Sequence, residues 1–301
     1  MLLRGGGPGL EATRANRLGS LAYSFPVRAL DEQTILVTGA TDGLGRSLAT
    51  ELAAAGATVL LHGRDETRGR ETLASIEAAT GNTRLRWLRA DLSSLEEVRG
   101  LGGRLAGELE RLDVLVNNAG IGTTDAGDGG RMESRDGYEL RFAVNYLAGY
   151  LLTRMLVGVL ERSAPARIVN VSSAGQAPID FDDVMLEHGY SGVQAYCQSK
   201  LAQIMFTIDL AAELDEHGIT ATCLHPATYM PTKMVLAGGI EPVSSLEDGV
   251  RATLRLVADP ALEGVSGVYF NGQREAEPHP QARDPEARRR LRELSDRLCG
   301  Y

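Results

Sequence analysis

The chain has 301 residues, 43% of them apolar and 24% charged, so it can bury a sizeable core and stay in solution. A net charge of −9 excludes a global basic field for nucleic acid or anionic lipid. The three cysteines, Cys197, Cys223 and Cys299, form neither a metal-ligand spacing nor a disulfide framework, which points to a reducing, cytoplasmic setting.

Residues 1–30 carry four arginines against one glutamate, and the run Gly5, Gly6, Gly7. They lack the apolar stretch of a secretory signal and read as a loosely packed arm. From residue 31 to about 275, short apolar runs alternate with helical patterns. "TILVTG", "ATVLLHG", "LRWLRAD", "LDVLVNNAG", "ARIVNVSS" and "ITATCLHPA" are bounded by Gly, Asp, Asn, Ser or Pro. Continuous apolar strands of that length suit a parallel sheet covered on both faces. Between them, "GRSLATELAAAG", "LEEVRGLGGRLAGEL", "AVNYLAGYLLTRMLVGVL" and "QAYCQSKLAQIMFTIDLAAELDEHG" repeat apolar residues at helical spacing. Ser93 with Glu96 has the form of a capping box, and Gly56, Gly81 and Gly218 stand as helix stops. The alternation predicts an α/β fold: one doubly wound, Rossmann-type domain with a mostly parallel central sheet and helices on both faces. Runs such as "YLLTRMLVGVL" are broken by Arg154 and are too short to cross a bilayer, so no transmembrane segment is expected.

The first strand–helix junction reads "TILVTGATDGLGRSLATEL", with Gly39, Gly43 and Gly45 spaced G-x3-G-x-G. Glycines there let the backbone approach a pyrophosphate, and the helix N-terminus offers unpaired N–H groups. Gly39, Thr41, Asp42, Gly43, Leu44 and Gly45 are the expected contacts of a dinucleotide. At the end of the second strand, "VLLHGRDE" places Arg64 where an NAD site usually carries a carboxylate. A guanidinium there suits the 2′-phosphate of NADP, with NAD as the alternative, and Asp65 is expected to cap the next helix.

"AYCQSKLAQ" puts Tyr196 four residues ahead of Lys200, on one face of a helix. Of 31 basic residues only two are lysines, Lys200 and Lys233, and Lys233 also follows a tyrosine by four, in "YMPTK". Pro231 argues against a helical register in that second copy. "TGATDGLG", "NNAG" (residues 117–120) and "YCQSK" together resemble the short-chain dehydrogenase/reductase family, in order, from about residue 33 to 275. Tyr196-x3-Lys200 is then the meaningful pair and Tyr229-x3-Lys233 the accident.

The resemblance implies catalysis by Asn145, Ser173, Tyr196 and Lys200. It also implies coenzyme contacts at Asp91, Leu92, Asn118, Tyr196, Lys200 and Thr228. Ser173 and Tyr196 would hold the substrate, a small molecule, and Asn145 would steady a water reaching Lys200. Family members often pair through the long helices carrying Asn145 and Tyr196, so a homo-oligomer is expected. The chemistry agrees in magnitude. A free phenol ionises near ~10 and needs ~4 kcal/mol to approach neutrality. One ammonium at ~4 Å in an effective dielectric of ~20 supplies about that. These features predict an NADP-dependent carbonyl reductase or alcohol dehydrogenase. Reduction of a C=C or C=N bond, sugar-nucleotide chemistry and an inactive coenzyme sensor are the alternatives.

The stretch between Ser173 and Tyr196 is similar to the longer insert of the retinol-dehydrogenase-like branch. Its Asp180, Asp182 and Asp183 read as a short solvated helix. In "HPATYMPTKM", Ala227 replaces the family's glycine and Thr232 stands one position late, so Thr228 or Thr232 would reach the nicotinamide. Residues 226–245 read as a mobile cover hinged at Gly238 and Gly239, with an apolar inner surface for the substrate. The extension 276–301 gathers Arg288, Arg289, Arg290, Arg292 and Arg297 beside Glu286, Glu293 and Asp296, as on the solvated face of a helix.

Overall fold

The computed structural model describes residues 28–123 and 130–301; the expected arm, residues 1–30, lies outside them except for Arg28 to Leu30. Seven strands run parallel: β1 (Thr34–Val37), β2 (Thr58–Gly63), β3 (Leu85–Arg89), β4 (Val114–Asn117), β5 (Ala166–Val171), β6 (Ile219–His225) and β7 (Val268–Asn271). The antiparallel β8 (Arg274–Glu275) closes one edge, and the order is β3-β2-β1-β4-β5-β6-β7-β8. β5 is buried along its whole length because helices cover both faces. On one face, α1 (Gly43–Ala54), α2 (Glu66–Thr80) and α7 (Leu246–Ala258) contribute Leu48, Leu52, Ile76, Val250 and Leu256 to one core. On the other, α3 (Leu95–Glu108), α4 (Ala148–Arg162) and α5 (Gly192–Glu213) contribute Leu101, Leu151, Leu156 and Ile204. The remaining helices are α6 (Lys233–Ala237) and α8 (Pro285–Cys299).

The sheet order reverses at β1, between β2 and β4, and ligands of such sheets sit in the crevice at the strands' carboxyl ends there. The doubly wound architecture is the one expected from the alternation of runs. The short β7, β8 and α6 escaped the sequence reading, and so did α7, although its Val250, Thr253, Leu256 and Val257 bury one face at helical spacing.

Three local expectations are corrected. The cap of α3 is Ser94, whose hydroxyl accepts from Glu97 N, one residue later than expected; Ser93 instead donates to Asp91. The apolar run around Arg154 belongs to a continuous helix, residues 142–162, long and apolar enough by composition to cross a membrane. It is largely buried in this core, and Arg154 sits at its rim, bonded to Glu213. In the insert, residues 180–188 form turns, not a helix. The Asp180 carboxylate accepts from Asp182 N, and that of Asp183 from Glu187 N and His188 N. Asp182 faces outward toward Arg290 on α8.

Candidate active site

At the end of β1 the chain turns through Gly39 at φ +66° and enters α1 through Gly43 at φ +48°, conformations that favour glycine. A Cβ on Gly45 would lie 2.3 Å from the Gly39 carbonyl oxygen and 2.4 Å from Asn118 Nδ2, so only glycine permits this approach of helix to turn. Asn118 donates from Nδ2 to the Thr38 carbonyl at 2.8 Å, and its N–H bonds the Thr38 hydroxyl. It thus fastens the end of β4 to the turn. His62 lies buried beneath, with Nδ1 accepting from Gly39 N and Nε2 facing the Ala90 carbonyl. Burial pushes its pKa down to about 4, so it stays neutral and can accept that bond. Asp42 caps α1 by accepting from Gly43 N at 2.8 Å. The first amides of the helix, at Leu44 and Gly45, have no intrahelical partner, as at any helix start.

Arg64 is exposed just past β2. Asp65 is occupied as the cap of α2, accepting from Arg68 N at 2.9 Å. A Cβ on Gly63 would come within 2.9 Å of the Thr41 methyl, which places Thr41 beside the base of Arg64. Asp91, after β3, accepts from the N–H and hydroxyl of Ser93 and pairs with Arg135 at 3.3 Å. Burial alone would raise its pKa; the Ser93 bonds, Arg135 and Arg64 outweigh that and hold it low. Leu92 is buried and borders a cavity of about 10 Å³ shared with Asn117, Asn145 and Gln203.

Asn145 lies within a π-helical turn, Phe142–Leu147, that leads into α4. Such extra-residue turns often mark functional sites. Its Oδ1 accepts from Ile121 N at 2.8 Å, and its Nδ2 donates to Ser199 on α5 at 3.0 Å. A methyl on Gly120 would meet both Asn145 Oδ1, at 3.2 Å, and Lys200 Nζ, at 3.4 Å. The glycine of "NNAG" therefore keeps the space between these two groups open.

Tyr196 and Lys200 share a face of α5, with the ammonium 5.8 Å from the centroid of the phenol ring. Lys200 is buried; its Nζ donates to the Val171 carbonyl at 2.9 Å and to Gln203 Oε1 at 3.0 Å. Burial lowers its pKa to about 7. Ser173 follows β5, and its hydroxyl accepts from Gly175 N at 3.0 Å. A Cβ on Gly175 would lie 3.5 Å from Ser173 Oγ and 3.8 Å from Tyr196 Cε1, so the two side chains converge on one small volume. Cys197 borders the same volume, and burial raises its thiol. It is poorly suited to act as a nucleophile.

After β6, the hydroxyl of Thr228 is turned back to His225 Nε2 at 3.0 Å. In this loop Tyr229 adopts φ +47°, a left-handed conformation that is uncommon outside glycine. Thr232 then caps α6, and its methyl would lie 3.1 Å from a Cβ on Gly43. Thr232, more than Thr228, therefore faces the glycine turn. Sequence reasoning passed over His62, Gln203 and Ser199, whose roles are to hold other groups. Gln203 and Ser199 stand beside Lys200 on α5, a proximity that offered a signal.

The open glycine turn, the free first amides of α1 and the polar group at its mouth fit a dinucleotide. Gly39, Gly43, Leu44, Gly45 and Arg64 would hold it. Among the described residues no group of three or more His, Cys, Asp or Glu could hold a metal.

Residues 33–237 match the family model described as short chain dehydrogenase. The chain is 37% identical to mouse (Mus musculus) retinol dehydrogenase 13, over 89% of this chain and 84% of that one. It is also 37% identical to mouse polyprenol dehydrogenase, over 97% and 92%. A crystal structure of a short-chain dehydrogenase from Escherichia coli, complexed with NADPH, is similar at a TM-score of 0.66 and 27% identity, covering 82% of this chain and 98% of that one. The chain thus belongs to the short-chain dehydrogenase family, in its retinol-dehydrogenase-like branch, and is an oxidoreductase of the alcohol–carbonyl couple.

Proposed function

We propose that the chain interconverts an apolar alcohol and its carbonyl counterpart, using NADP, with Tyr196 as general acid and base. The observation that carries this reading is the convergence of Ser173 and Tyr196 beside the buried ammonium of Lys200. The bound dinucleotide supplies or accepts hydride at the carbonyl carbon. Tyr196 gives its phenolic proton to the substrate oxygen in reduction and takes it back in oxidation. Ser173 donates a hydrogen bond to the same oxygen as negative charge gathers there. Lys200 holds positive charge beneath the phenol, favouring its ionised form. Asn145 pins Ile121 beside the space that Gly120 leaves between Asn145 and Lys200, where a water would reach the ammonium.

Preference for NADP is supported by the exposed Arg64 and by the engagement of Asp65 in capping α2. The crystal structure of a relative with NADPH is consistent with it. An apolar substrate is supported by the named activities of the retinol and polyprenol dehydrogenases. The cover agrees, exposing Tyr229, Leu236, Ile240 and Val243. Three free thiols favour a reducing, cytoplasmic compartment.

The test is NADPH oxidation against a panel of apolar aldehydes and ketones. Tyr196→Phe should lower turnover by at least ~100-fold while NADPH affinity, measured by fluorescence, stays near wild type. Retained turnover in that variant would refute the assignment.

A further inference from the structure

The lysine set aside by the sequence reading has a place in the structure. Lys233 opens α6, on the cover, and its Nζ lies 2.5 Å from Asp42 Oδ2. The other oxygen of Asp42 accepts from Gly43 N at 2.8 Å. The ammonium is therefore one carboxylate away from the start of α1, where the amides of Leu44 and Gly45 would receive a diphosphate. Thr232, the preceding residue, packs against Gly43. Both lysines of an arginine-dominated chain thus stand at the proposed coenzyme site, one buried within it and one at its mouth.

Asp42 is an awkward neighbour for a phosphate. Burial alone would raise its pKa; the bond from Lys233, the Gly43 N–H and the charge of Arg68 outweigh that and keep it ionised. Its pair with Lys233 is solvent-exposed, the side chains being 44% and 70% accessible, and such pairs are weakly held. A diphosphate carries more charge than one carboxylate and competes well for the ammonium.

We propose that Lys233 is a coenzyme-binding residue: its ammonium exchanges Asp42 for the diphosphate of the dinucleotide and so draws the cover onto the bound coenzyme. This rests on the dinucleotide reading above. The role is distinct from that of Arg64, which lies past β2 on the side of the 2′-phosphate.

Calorimetric titration of the full chain separates the two. NADPH and 2′-phospho-ADP-ribose contain the diphosphate; 2′-AMP does not. Lys233→Met should weaken the first two by about tenfold, the usual scale of a charge-assisted bond, with a loss that shrinks as salt rises. It should leave 2′-AMP unchanged. Asp42→Asn, which keeps the capping acceptor, should tighten the first two. Binding of 2′-phospho-ADP-ribose by Lys233→Met within twofold of wild type would overturn the assignment. An equal loss for 2′-AMP, or weakened binding in Asp42→Asn, would do the same. A wild-type chain that binds no dinucleotide would overturn the coenzyme reading and this one together.

Discussion

Lys200 is 4% exposed, and two neutral oxygens, from Val171 and Gln203, receive its ammonium. Burial brings its pKa down from 10.5 to about 7. Burial thus disfavours in the folded chain the charge that an unfolded chain would carry fully at neutral pH. The stabilising contribution is therefore fully present above the unfolded pKa. It is lost as pH falls to about 7, because a buried ammonium must then be carried. The two lysines should give two side-chain resonances in a nitrogen-15 titration, one of them titrating near pH 7; two midpoints above pH 9 would contradict this. Arg64 makes a second claim at this scale. If its guanidinium reads a 2′-phosphate, Arg64→Asp should repel that group and shift the ratio of kcat/KM for NADP over NAD by at least ~10-fold toward NAD. An unchanged ratio would place the contact elsewhere, with Arg68 on α2 the next cation to try.

The β1–α1 turn is the element on which the proposed coenzyme binding rests. Gly45 leaves no room for a methyl, since both neighbours of its Cβ site, the Gly39 carbonyl and Asn118 amide, belong to the turn's own bonding. Gly45→Ala should cost ~1–3 kcal/mol of stability through overpacking and abolish detectable NADPH binding. A denaturant melt with calorimetry would check both, and unaltered binding would show that the turn yields more than its packing indicates. The loop after β6 shows the opposite behaviour. Thr232 stands one position later than the family resemblance places it, and its methyl still packs against Gly43. Loops absorb insertions that packed turns do not.

At the scale of the molecule, α8 lies across the outer faces of the two long helices. The hydroxyl of Tyr146 bonds that of Ser295 at 2.7 Å, Tyr150 bonds Asp296, and Arg288 pairs with Asp209 at 2.7 Å. Leu291 is buried in the same contact, which by area alone is worth ~2 kcal/mol. Copies of the chain pairing through this face would first have to displace α8. The expected homo-oligomer therefore has a competitor within the chain itself. Removing residues 285–301 should expose Tyr146, Tyr150 and Phe206, lower stability by several kcal/mol (about that of two buried side chains) and promote self-association. Sedimentation velocity and a urea melt of the truncated chain would test this. An equally stable monomer would refute it.

Much of the fold and of the candidate site was legible in the sequence, because apolar period and glycine placement are local properties of the backbone. The six strands β1 to β6, the turn at Gly39, Gly43 and Gly45, and the shared face of Tyr196 and Lys200 all follow from spacing along one segment. Tertiary structure alone decided the neutral His62 beneath Gly39, the seat of α8 on α4 and α5, and the reach of Lys233 to Asp42. Each joins groups far apart in the chain. The pattern of a segment says which face seeks cover but not which distant segment covers it; packing in three dimensions settles that.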